Sequence, residues 1–75
     1  MIVELAATTQ TLLSEIAMPE VKRNSVALTY ALAMRSSEAT DWKAVNEAII
    51  KRWSVAGLTY IKERAWKIRE GKIAV

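Results

Sequence analysis

Apolar and polar residues follow one another along this chain with the period of a helix. Ile2, Leu5, Ala6, Thr9, Leu12, Leu13 and Ile16 recur at intervals of three and four, which predicts a helix over 2–17 with one buried stripe. Thr8, Thr9 and Thr11 weaken its first half, because β-branched side chains lose χ1 freedom in a helix. Pro19 suits a first helical turn and Glu20 beside it complements the helix dipole, so a second helix is predicted over 19–36, with Asn24 as an alternative cap. From Val26 to Met34 this helix is apolar almost all round. Such a helix is buried on more than one side. It is therefore the expected axis of the fold, and Leu28→Ala is expected to cost more stability than Ile61→Ala.

The polar run from Ser36 to Asp41 reads as a loop. Thr40 or Asp41 can cap a third helix, predicted over 41–55, which places Trp42, Val45, Ile49 and Trp53 on one face and Lys43, Glu47 and Lys51 on the other. Gly57 can take the left-handed conformation that ends a helix, with Leu58 as the apolar residue just after it. Thr59 then caps a fourth helix over 59–70, with Leu58, Ile61, Ala65 and Ile68 inward and Gly71 as its stop. The expected fold is all-α, a compact four-helix bundle with helices 3 and 4 in a helix-turn-helix-like arrangement. A three-helix core with helix 1 loosely attached is the fallback.

Composition narrows the chemistry. Seventy-five residues make one domain. The apolar fraction of 52% includes twelve alanines and no Phe, so the core is thin and a second copy of the chain would help to cover it. A homodimer is expected. With no Cys and no His, thiolate chemistry, the usual general base and the commonest metal ligands are missing, and two Gly cannot build a phosphate-binding loop. The expectation is a non-enzymatic protein with no catalytic residue, no metal and no cofactor. The longest uncharged run, Asn24 to Met34, is far shorter than the roughly 20 residues of a membrane span. Glu4 with no early Lys or Arg is unlike a secretory signal, so a cytoplasmic location is expected.

Charge points to the C-terminal half. The net charge is +3, and residues 41–75 carry it: Lys43, Lys51, Arg52, Lys62, Arg64, Lys67, Arg69 and Lys72 stand against Asp41, Glu47, Glu63 and Glu70. A polyanionic partner is implied, either nucleic acid or an acidic protein surface. On the fourth helix Lys62, Trp66, Arg69 and Lys72 follow one another at spacings of four, three and three, and Arg64 and Lys67 flank that face. A basic stripe interleaved with an aromatic can hold phosphate and stack a base. The candidate binding residues are Lys51, Arg52, Lys62, Arg64, Trp66, Lys67, Arg69 and Lys72.

Each of these features also has a plainer reading. Glu63 and Lys67 are spaced as an i, i+4 pair on a solvated helix, and Trp42 and Trp53 belong to the inward stripe of helix 3. Trp66 lies off the inward stripe of helix 4 and is expected to be partly exposed, and Asn46 is expected to face solvent. The leading expectation is a small nucleic-acid-binding protein, of the DNA-binding regulatory kind, that acts through the basic C-terminal helix. The alternative is a protein-interaction module, a small inhibitor or adaptor that docks on an acidic or apolar partner surface.

Overall fold

The computed structural model describes residues 9–35 and 39–72. Every regular element among them is an α-helix: α1 (Thr9–Ile16), α2 (Arg23–Arg35) and α3 (Trp42–Arg69). The first half of the helix predicted over 2–17 and residues 36–38 of the predicted loop lie outside the described residues.

Three helices stand where four were predicted, because the break expected between the helices over 41–55 and 59–70 shrinks to one residue inside α3. Ser54 alone is non-helical, at φ 69°, ψ 178°. It separates a first arm (42–53) from a second (55–69). Gly57 is not the stop. It is buried within the second arm, and a Cβ at this position would collide with the Cβ of Trp53. The glycine is needed for close approach across the bend rather than for its backbone freedom. Thr59 does not cap the arm either, since it is itself helical and its hydroxyl donates to the Val55 carbonyl at 3.1 Å.

The other boundaries follow local chemistry. Asp41 is the N-cap of α3, its carboxylate accepting from the Ala44 N–H at 3.1 Å, and the Asp41 N–H in turn donates to the Thr9 hydroxyl at 2.9 Å. At the other end Gly71 adopts φ 75° and donates to the Ile68 carbonyl, while the Lys72 N–H reaches the Lys67 carbonyl at 2.8 Å. This pair of bonds is the Schellman motif, and it places the end of the helix where Gly71 predicts it. Pro19 lies in the turn before α2 rather than in its first helical turn. Asn24 does not cap α2: the Lys22 carbonyl accepts the first helical bond, from Val26.

Side-chain contacts fix the packing. Tyr30 meets Trp42 and Asn46, and Arg52 reaches the Pro19 carbonyl, so α2 runs antiparallel to the first arm. The Tyr60 hydroxyl donates to Asn24 near the start of α2, so the second arm ascends alongside that helix. Straight, α3 would be about 42 Å long, more than the 38 Å longest dimension of the molecule. The bend at Ser54 folds it back.

The core lies between these segments. Leu12, Val26, Val45, Ile49 and Ile61 are its largest fully buried side chains, with Ile16, Tyr30 and four alanines around them. α2 is less central than its apolar run predicts. It faces the core through Val26, Ala27, Tyr30, Ala31 and Ala33, whereas Leu28 is only half-buried and Leu32 is exposed. Alanines dominate the inward side because helices press on it closely, which leaves the larger residues at the edge. The larger truncation cost therefore moves from Leu28 to Ile61.

Candidate functional site

The mouth of the fold-back, opposite Ser54, is a concavity of about 490 Å³. Its walls come from three places: Tyr30, Ala33 and Met34 on α2, Ala39, Thr40 and Trp42 at the start of the first arm, and Lys62, Trp66 and Arg69 on the second. Trp42 and Trp66 would be about 36 Å apart on a straight helix. The bend brings them to one site.

The aromatic floor is held in place from within. Tyr30 and Trp42 rings lie 4.6 Å apart between centroids at an interplanar angle of 44°, and the Tyr30 hydroxyl donates to the Asn46 side-chain carbonyl at 2.9 Å. Asn46 is thus half-buried and engaged, not turned to solvent as its polarity predicts, because the buried Tyr30 hydroxyl needs an acceptor. Burial pushes the Tyr30 hydroxyl above its ordinary pKa. The residue stays neutral, so the positive charge of the site is undiminished.

The rim is cationic. Trp66 is 48% exposed, as its wheel position predicts, and the Arg69 guanidinium lies 5.0 Å over its ring. Lys62, one turn before Trp66, is exposed and makes no ion pair among the described residues. An aromatic edge is thereby bracketed by two positive charges, neither of which is ion-paired among the described residues.

The remaining predicted residues lie elsewhere. Lys51 and Arg52 border a separate hollow between α1 and the first arm, with Leu13, Ile16, Ala17 and Ala48. Arg52 is a fastener: its Nη2 donates to the Pro19 carbonyl at 2.8 Å, and its guanidinium lies 5.3 Å over the Trp53 ring. Arg64 is half-buried, and its Nε has no hydrogen-bond partner among the described residues. Lys67 is exposed and does not line the concavity. Lys72 falls beyond the Schellman turn, off the helical face it was predicted to extend, and pairs with Glu70 at 3.1 Å. Such an exposed pair contributes little.

Tyr30, Thr40 and Trp42 complete the site and were not among the predicted binding residues. Trp42 carried the wrong signal: its place on the inward stripe suggested core, whereas it is half-buried, with one part against Tyr30 and another lining the opening.

No group of three or more metal-ligating side chains converges among the described residues. None of the described helices is long and apolar enough to cross a membrane. Comparison with protein-family models, with curated proteins and with solved structures gives no match.

Proposed function

We propose that this protein binds nucleic acid without catalysis, through the second arm of α3. One observation carries the reading: Lys62, Trp66 and Arg69 share an exposed face that opens on a concavity with an aromatic floor. Phosphates are attracted by unpaired cations at a surface, and bases by flat aromatic faces, and here the two lie within one helical turn of each other. An acidic protein surface would use the cations but has no particular need for Tyr30, Trp42 and Trp66 together. Self-association is part of the proposal, since Leu32 and Val55 are exposed at 46% and 64% and offer apolar surface for a second copy.

The test is fluorescence anisotropy with labelled oligonucleotides across a salt series. Binding is expected to weaken steeply between about 50 and 200 mM salt, since each neutralised phosphate releases counterions. Lys62→Ala with Arg69→Ala should flatten that slope, and Glu20→Lys, a change at an exposed position away from the concavity, should not. Absence of any salt-sensitive binding would remove nucleic acid from the account.

A further inference from the structure

We infer that the concavity takes an unpaired base, so that the preferred ligand is a single strand rather than a duplex; this rests on the nucleic-acid reading above and narrows it. The flat faces of the site belong to a recess. Trp42 is half-buried with Tyr30, itself buried, packed against it, so the surface Trp42 offers is reached from the mouth of the fold-back and not across an open helix face. A duplex offers only base edges, in grooves about 12 and 6 Å wide, and keeps the base faces stacked. Only a base that has left its stack can present a face to this floor.

The helix that a major groove would have to accept carries a stacking group between its cations. Its most exposed large apolar side chain toward the site is Trp66, whose ring is covered by Arg69 on one side. Trp has a single N–H donor and no acceptor with which to read base edges. Among the described residues lining the site, the Tyr30 hydroxyl is committed to Asn46, and Thr40 is the only other uncharged side chain with a hydroxyl or amide group. Stacking on a Trp face is open to every base, so recognition through it is expected to be sequence-tolerant.

Spacing selects a strand over a free nucleotide. Lys62 and Arg69 are separated by about 10 Å along the helix axis, with Trp66 between them. Meeting both cations while a base occupies the recess requires phosphates on either side of that base. A nucleoside monophosphate has only one.

The experiment uses the full chain with a fluorescein-labelled 12-nucleotide single strand of mixed sequence, the same strand annealed to its complement, and adenosine monophosphate as competitor. The single strand is expected to bind at least tenfold more tightly than the duplex and to quench Trp emission. Trp66→Ala should lose at least tenfold in single-strand affinity with its helical circular dichroism intact, whereas Trp66→Phe should retain most of it. If Trp66→Ala does not fold, Lys62→Ala with Arg69→Ala serves in its place, and tenfold weaker single-strand binding is again expected. Equal or tighter binding of the duplex would overturn the inference and leave the nucleic-acid reading standing. Displacement of the strand by an equimolar amount of the monophosphate would overturn it in favour of a free-nucleotide site. Salt-sensitive binding to none of these probes would instead bring down the nucleic-acid reading itself.

Discussion

The two ends of the folded-back α3 are made of similar side chains and treat them differently. Near the bend, Trp53 and Tyr60 border a hollow of about 310 Å³ with Lys22 and Arg23. Its two rings and two of the nearby arginines are engaged from within the chain. The Arg23 guanidinium lies 5.0 Å over the Tyr60 ring, the Tyr60 hydroxyl is held by Asn24, and Arg52 covers Trp53 while bonding the Pro19 carbonyl. At the mouth, among the described residues, Lys62 has no such partner and Arg69 is engaged only by the face of an exposed Trp66. Residue type therefore does not separate a fastening cluster from an available one. Among the described residues, what separates them is two hydrogen bonds, from Arg52 to the Pro19 carbonyl and from Tyr60 to Asn24; Arg23, like Arg69, is engaged by a ring face, and Lys22, like Lys62, makes no ion pair.

The sharpest way to break this contrast is at the bend. Gly57→Ala sets a Cβ against the Cβ of Trp53, where no change of rotamer relieves the overlap, so the backbone must shift. The expected loss is about 3 kcal/mol, at the upper end of overpacking costs, read from urea denaturation. An unchanged midpoint would show that the arms do not meet there.

Next in size is the fastener. Arg52→Ala removes a charge-assisted bond and a ring contact, and because the site is exposed about 1–2 kcal/mol is expected. Lys62→Ala should stay within about 0.5 kcal/mol of wild type. Equal losses from the two variants would erase the distinction between the ends. Ser54→Gly should move stability the other way. At φ 69°, ψ 178° the serine sits in a region that is essentially glycine's own, and relief of that strain, less the entropy of an added glycine, should gain about 1 kcal/mol.

Much of the helical content and both α3 termini were legible in the sequence, because caps act locally: Asp41 accepts a bond three residues on, and Gly71 turns the chain where it stands. The bend was misplaced for a related reason. Gly57 was read for its own backbone freedom, whereas its role is to make room for Trp53, and the non-helical conformation falls on a serine that carries no such signal. The shared face of Lys62, Trp66 and Arg69 on the second arm followed from spacing alone, since 62, 66 and 69 must share one side of any helix. Its opposite wall could not follow from spacing. Tyr30 and Trp42 join it through contacts between residues far apart in sequence, and Lys51, Arg52, Arg64, Lys67 and Lys72 share its charge but not its place.

The floor of the mouth can be tested by alkali. Burial raises the Tyr30 pKa in the folded state, so the neutral hydroxyl is favoured by folding. Its contribution to stability is complete below the ordinary value of 10.0 and is lost as pH rises through the higher folded value. Thermal melts of wild type and Tyr30→Phe should therefore converge above pH 10, after a difference of about 1 kcal/mol at neutrality from the hydrogen bond to Asn46. Parallel pH profiles would mean that the hydroxyl is not held in the floor.

A small effect on stability is expected at the residue whose proposed role in binding is largest. Trp66 is 48% exposed, and the contact that Trp66→Ala removes is the one with Arg69, on a surface where cation–π pairs contribute about 0.5–1 kcal/mol. Trp66 is not among the side chains packed against the core, so its truncation removes rim surface rather than core. Trp66→Ala should thus melt within about 1 kcal/mol of wild type. Trp53→Ala, which deletes a half-buried ring packed on the core and covered by Arg52, should cost more than that. A Trp66→Ala variant that unfolds as readily as Trp53→Ala would show that its ring fastens the mouth as Trp53 fastens the bend, and the two ends would then be alike.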